Sequence, residues 1–455
     1  MNGTRLSALD DSFLAVESAN AHMHVGWAAT FRPPEHGRAP RFAELRDHIE
    51  GRLSRAPRYR QRIARVPLGL NAPIWIDDPS FDVNRHVVAS SARQLGDLVD
   101  ACISRQLPRD RPLWQICIAD QLEDDRIAVV GKAHHCMVDG IAAVELGSLL
   151  LDPTPEPPQP ESDRWRARSA PGPGRRLLSG LVDRIREEAS LAQLPIRLSR
   201  SPGRLADLTG QAGRAARALA HAVRPTERVA PLNQPISPAR HLAGFSRPLA
   251  HLRQIGRAYG ATVNDVLLAA SAGGIRRFLR DRELDPVPLK TMVPVSVRAN
   301  GEAGELGNRI SFVFVDLPCD EPDPVRRLKD VQLWMSERKE TGDPEGADTA
   351  LRAVRFVPRR LQHAVSRLIA SPRMFNLTVS NIPGLREPMY MLGCELEEAY
   401  PVVPIADEHA LSIGMTTVKD RACFGLYADR EALPDADRLA EDVDASVDEL
   451  LARAI

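Results

Sequence analysis

Two adjacent histidines, followed after a three-residue gap by an aspartate and a glycine, form the densest set of chemically capable side chains here: His134-His135-Cys136-Met137-Val138-Asp139-Gly140. A neutral imidazole titrates near neutrality and can take a proton from an attacking hydroxyl. The block follows an apolar run, Ile127 to Ala133, that reads as a strand, and it precedes a helical pattern that stops before Pro153. Strand ends often expose functional side chains. Neighbouring strand residues point to opposite faces, so one of the two histidines is expected at any one site. Asp139 could fix the loop through an ion pair or hydrogen bond, or simply cap the next helix. Gly140 permits backbone geometry that other residues resist. The pair also reads as two buried or metal-binding histidines, although a metal needs a third ligand and none is evident locally.

Other chemistries lack their residues. There is no G-x-G-x-x-G, no G-x-x-x-x-G-K-[ST], no H-E-x-x-H and no G-x-S-x-G. Six scattered cysteines form no C-x-x-C pair and read as buried thiols. No metal is expected. The 60 basic and 60 acidic residues cancel, which argues against a nucleic-acid binder. No apolar run approaches the roughly 18–20 residues of a membrane span. The first residues lack a signal-peptide pattern, so a cytoplasmic protein is expected, with a membrane surface still open to it.

The elements that must position the histidines fall in two halves. Residues 1–150 read as one α/β domain, 151–235 as a Pro- and Arg-rich linker with amphipathic helices, and 236–455 as a second α/β domain. In the first half, Phe42–Leu53 and Ser91–Gln106 read as helices, with Leu113–Leu122 and Ile127–Lys132 as neighbouring strands. In the second, Thr262–Arg280 and Val325–Lys339 read as helices, with Met292–Val297, Ile310–Leu317, Leu377–Ser380, Leu411–Met415 and Cys423–Ala428 as strands. No regular βαβ repeat appears, which favours mixed sheets. From Asp163 to Arg228 there are 14 arginines against 6 acids. Leu178, Leu181, Val182, Ile185 and Ala189 fall there at helical spacing. That segment reads either as a connector packed on its own protein or as a membrane-surface helix. The C-terminal run reads as an acidic helix capped by Asp435.

The histidine block resembles the HHxxxDG motif of the bacterial wax ester synthase/diacylglycerol acyltransferase family. That motif is shared with acyltransferases of the chloramphenicol acetyltransferase-like fold, including peptide-synthetase condensation domains. Further blocks narrow the resemblance. Leu9-Asp10-Asp11-Ser12-Phe13-Leu14-Ala15-Val16-Glu17 and Met23-His24-Val25-Gly26 are similar to the family's D-x-x-F-L-x-x-E and M-H-V-G patterns. Pro73 to Asp82, Pro112-Leu113-Trp114, Asn264-Asp265, Met292 to Arg298 with Leu306 to Arg309, and Asn376 to Gly384 resemble its other blocks. Thr417-Val418-Lys419-Asp420 departs from the family's Ser-Tyr-x-Gly turn, and Glu408 stands where the family tends to have Gly.

The resemblance implies two chloramphenicol acetyltransferase-like α/β domains with mixed sheets flanked by helices, joined by a helical linker. It implies transfer of an acyl group from acyl-CoA, as co-substrate and without a cofactor, to diacylglycerol or a fatty alcohol. His135 is then the general base, His134 and Asp139 shape the loop, and no covalent intermediate forms. Gly140, Asn264, Asp265, Ser380 and Asn381 are the supporting residues. Asn264-Asp265 also reads as a helix start, and Ser380-Asn381 as a turn before Pro383. Arg352, Arg355, Arg359 and Arg360 read as CoA-phosphate contacts or as solvated helix charges. Expected partners are acyl-CoA, the lipid acceptor and a membrane or lipid-droplet surface, with the protein peripheral at the inner membrane face. The other readings are a condensation-type acyltransferase esterifying a polyketide or glycolipid hydroxyl, and a silent lipid-binding protein of the same fold.

Overall fold

The computed structural model of the chain describes residues 4–34, 36, 38–137, 150–156, 158, 163, 165–192, 225–296, 310–340 and 359–454. Asp139 and Gly140 lie outside the described residues, as do Arg352, Arg355 and the helical pattern after Gly140.

Among the described residues, three sheets organise the chain. A small one joins β1 (Thr4–Arg5), β4 (Ile74–Asp77) and β3 (Gln61–Ala64). The first large sheet contains β2 (His24–Arg32), β5 (Val87–Ala89), β6 (Trp114–Ala119) and β7 (Ile127–His134). The second has the order β10-β9-β11-β14-β15-β8. Its strands are β8 (Arg240–Pro248), β9 (Leu289–Ser296), β10 (Ile310–Leu317), β11 (Leu377–Asn381), β14 (Leu411–Val418) and β15 (Arg421–Asp429). Parallel pairs (β11 with β9 and β14) sit among antiparallel ones, so this sheet is mixed.

The first large sheet is completed from far along the chain. Strands β12 (Tyr390–Met391) and β13 (Cys394–Val402) extend it beyond β2, giving the order β12-β13-β2-β7-β6-β5. Glu395 lies directly opposite Arg32, and their side chains pair at 2.7 Å. β13 also crosses the second sheet. Gly244, Gly425 and Gly414 stand side by side on β8, β15 and β14. A Cβ on Gly425 would come within 2.4 Å of the Pro401 carbonyl oxygen, and one on Gly244 within 2.8 Å of the Tyr400 ring. This row of missing side chains lets the two sheets approach closely.

The helices are α1 (Ala8–Val16), α2 (Phe42–Arg52), α3 (Leu95–Ile103), α4 (Pro173–Ala192), α5 (Leu249–Tyr259), α6 (Val263–Arg280), α7 (Pro324–Glu340), α8 (Arg359–Ile369) and α9 (Ala436–Ala452). One continuous apolar core runs from Ala28, Val130 and Leu98 in the first half to Leu267, Leu426 and Val443 in the second. A second core lies on the other face of β2, with Phe31, Trp114 and Leu396. Asp435 precedes α9 but makes no side-chain capping bond; its carboxylate pairs with Arg282 instead. Helix α4 packs on its own protein through one face. Asn71 donates to the Gly180 carbonyl at 3.3 Å, and Asp183 pairs with Arg5 at 2.6 Å. Leu178 on another face stays 62% exposed.

Candidate active site

The two histidines end in different surroundings. β7 runs through His134 between β2 and β6, placing His134 opposite His24. The His134 amide donates to the Leu113 carbonyl at 2.9 Å, so the Pro112-Leu113-Trp114 block serves as backbone support for the motif. Its side chain is buried, and its Nδ1 accepts the Cys136 amide at 3.1 Å. A ring nitrogen that accepts carries no proton, so a neutral His134 bears its hydrogen on Nε2. Burial, and then Arg109 and His135, push its pKa well below the ordinary histidine value. The Glu17 carboxylate lies 3.6 Å from Nε2, too far for a hydrogen bond and without an imidazolium to pair with.

His135 is the half-exposed residue among buried neighbours: Ala133, His134, Cys136 and Met137 are all buried. Its amide donates to the Met23 carbonyl at 2.9 Å. Met23 holds φ at 48°, a left-handed value that costs an ordinary side chain energy and aims that carbonyl at the loop. The imidazole stacks on Phe13, with ring centroids 3.7 Å apart and planes 13° from parallel.

Helix α1 and its C-cap residue, Glu17, supply the neighbours of the pair. The helix begins at a capping box between Ser7 and Asp10. Phe13 and Glu17 are four residues apart and so share a face. Phe13 meets His135; Glu17, buried, is held by Arg109 and by Gln106 at 3.0 Å beside His134. The opposite face of α1 is fastened to α8. The Asp11 carboxylate accepts two bonds from Arg359, at 2.6 and 2.8 Å, and lies 2.9 Å from His363 Nε2. Burial would raise the Asp11 pKa, but these two partners hold it below the ordinary carboxylate value. Arg367 donates to the Ala15 carbonyl at 2.9 Å. Arg359 is therefore engaged in an internal ion pair.

The supporting residues named from the sequence divide. Asp265 closes a capping box at the start of α6: its carboxylate accepts the Thr262 amide and hydroxyl, each at 2.8 Å. Asn264 lies half-buried in the same first turn. Ser380, buried, and Asn381, exposed, are the last residues of β11, paired in parallel with Gly414 and Met415. The ladder ends with them, and Pro383-Gly384 follow outside any regular element. Pro383 and Gly384 line an apolar cleft between the sheets, with Trp27 and Phe31 of β2 and Leu396 and Pro401 of β13. Along β2, Gly26 at the cleft lies three residues, roughly 10 Å, from the Met23 that anchors His135. Among the described residues no group of three acidic, Cys or His side chains is arranged to hold a metal ion.

Residues 6–267 match the wax ester synthase/diacylglycerol acyltransferase catalytic domain, and residues 306–451 match the WS/DGAT C-terminal domain. The chain belongs to this acyltransferase family. A probable diacylglycerol O-acyltransferase of Mycobacterium tuberculosis is 32% identical over 459 residues, covering 98% of this chain and 96% of the relative. A second from the same organism is 30% identical over 461 residues, covering 97% of each. The wax ester synthase/diacylglycerol acyltransferase of Marinobacter aquaeolei superposes with a TM-score of 0.69 at 25% identity, covering 99% of both chains. The starter condensation domain of rhizomide synthetase shares the fold, with a TM-score of 0.59 at 14% identity over 100% of this chain and 94% of that one. This enzyme is thus a two-domain α/β acyltransferase with mixed sheets.

Reading the acyltransferase's sequence for chemistry alone missed Phe13, Glu17, Arg109 and Met23. For Phe13, Glu17 and Met23 the signal was present in the D-x-x-F-L-x-x-E and M-H-V-G blocks, whereas Arg109 lies in neither. Spacing gives Phe13 and Glu17 a common face, but only the folded chain shows that the histidines meet it.

Proposed function

We propose that the protein transfers a fatty acyl group from acyl-CoA to the hydroxyl of diacylglycerol, with fatty alcohol as a second acceptor and His135 as general base. The carrying observation is the unequal setting of the pair: His134 is buried with Nδ1 committed to the Cys136 amide, whereas His135 is half-exposed. The imidazole takes the acceptor hydroxyl proton as that oxygen attacks the thioester carbonyl carbon. The tetrahedral oxyanion then collapses, the carbon–sulfur bond breaks, and the imidazolium returns its proton to the CoA thiolate. No covalent enzyme intermediate is needed. His134 and Asp139 shape the loop. The apolar cleft beside Pro383-Gly384 suits an acyl chain.

Water-insoluble acceptors call for a lipid surface. Among the described residues, seven of nine exposed large apolar side chains, including Leu68, Leu178 and Leu361, fall on α4, the loop 66–70 and α8. No helix among the described residues is long and apolar enough to cross a membrane, so contact would be peripheral.

The test is acyl transfer by purified protein from labelled palmitoyl-CoA to dioleoylglycerol and to hexadecanol. Ester product that disappears in His135→Ala supports the reading and ranks the acceptors. Full activity in His135→Ala refutes the base. No product from either acceptor, with acyl-CoA still bound, favours the condensation-type reading.

A further inference from the structure

We propose that Phe13 is a positioning residue for His135, setting the plane of its imidazole and supporting the charge it gains during transfer; this rests on His135 being the general base. The two rings are close to parallel at 3.7 Å, so the imidazole cannot turn about its last side-chain bond without displacing the phenyl group. Phe13 is itself held. Its helix is bolted to α8 on the far side through Asp11, Arg359 and His363, and through Arg367 on the Ala15 carbonyl. One turn further on, Glu17 is fixed by Arg109 and Gln106. Phe13 on α1 and Glu17, the residue that caps its C-terminus, are therefore both fixed against the two adjacent histidines.

The same contact has an electronic consequence. The face of a phenyl ring carries the negative part of its quadrupole, and a cation over that face is attracted to it. Neutral imidazole gains little from this; imidazolium gains more. Phe13 thus favours the protonated form, which during turnover arises when the acceptor hydroxyl surrenders its proton. That is stabilisation of a developing charge by a ring that carries no net charge of its own. A packing residue of the same size would supply the volume and lack this effect.

The experiment compares Phe13→Leu, Phe13→Tyr and His135→Ala with the wild-type full chain, measuring kcat, KM for palmitoyl-CoA and the pH profile of kcat/KM. Phe13→Leu is expected to lower kcat about tenfold with KM within about twofold. Its acidic limb should move down by roughly half to one pH unit, because imidazolium loses its partner ring. Phe13→Tyr should keep the wild-type rate and limb. Wild-type kcat with an unshifted limb in Phe13→Leu would overturn the proposal, as would Tyr and Leu variants impaired alike. If Phe13→Leu does not fold, Phe13→Met makes the same comparison. His135→Ala separates the two claims: an active His135→Ala removes the general-base reading itself, while an inactive one beside an unaffected Phe13→Leu removes only the role of Phe13.

Discussion

The backbone carbonyl of Pro401 passes so close over Gly425 that a single Cβ on the glycine would approach it to 2.4 Å. Backbone cannot swing aside as a side-chain tip can, so the first and second sheets must separate to admit a methyl group. Gly425→Ala should therefore destabilise the fold by about 1–3 kcal/mol, the usual range for overpacking. Gly96→Ala is the control, since its Cβ would meet nothing within 4 Å at the start of α3, where alanine favours helix. Urea denaturation should show a lower midpoint for the first variant and an unchanged or higher one for the second.

His241 on β8 reaches two helices at once. It lies 2.9 Å from Asp100 of α3 and 3.1 Å from Asp437 of α9, and Arg430 also approaches Asp100 at 3.5 Å. The bond to Asp100, despite opposing burial and with help from Asp437, raises its pKa to about 8. A raised native pKa contributes stability that is complete below the unfolded value near 6.5 and is lost as pH climbs through about 8. The shift corresponds to about 2 kcal/mol, of which solvent screening at the exposed Asp437 leaves roughly 1 kcal/mol. Melting temperatures from pH 6 to 9 should fall for wild type and stay flatter for His241→Gln. Parallel profiles would contradict this.

Arg359 is a test of two assignments. As the partner of buried Asp11 it secures α1 to α8; as a phosphate contact it would bind CoA. Removing it leaves a buried carboxylate with only His363, at a cost of about 2 kcal/mol. Arg359→Ala should lower the melting temperature and kcat while leaving KM for acyl-CoA within about twofold. A rise in KM alone, with stability intact, would return Arg359 to the phosphate role.

The exposed leucines make a further prediction. Loop 66–70 touches both helices that share them: Val66 packs at Gly180 of α4, and Gly69 lies beside Arg359 of α8. A Leu68→Ser/Leu178→Ser/Leu361→Ser protein should co-sediment with phosphatidylglycerol vesicles at least tenfold less than wild type, while keeping its melting temperature. Undiminished binding would place any lipid contact elsewhere on the molecule.

Much of the architecture can be read from local pattern. Thr262 followed by Asp265 announces the start of α6, and the alternation through Ile310, Phe312 and Phe314 announces β10. β13 escapes such reading because Cys394–Val402 contains three glutamates and a proline. Its acids are satisfied by distant partners: Glu395 by Arg32 and Lys419, Glu397 by Arg126, Glu398 by Ser246 and Arg421. The strand is defined by neighbours far off in sequence, and no window along the chain contains them. The same holds for the site. The histidine motif stands out by residue type, whereas Phe13 stands out only once α1 lies against it. Asp265 carries both of its readings from the sequence: named as a supporting residue by resemblance and as a helix start by pattern, it bonds Thr262 as a helix cap.

The lateness of β13 also bears on how the chain is made. Arg32 and Glu395 are 363 residues apart. At roughly 5–20 residues per second, β2 leaves the ribosome on the order of 20–70 s before the strand that pairs with it. Through that interval the nascent first sheet has an unpaired edge and an uncovered apolar face, both invitations to aggregation. Slower translation lengthens the exposure, so this enzyme's yield in a cell is tied to whatever shields β2 until residue 402 has emerged.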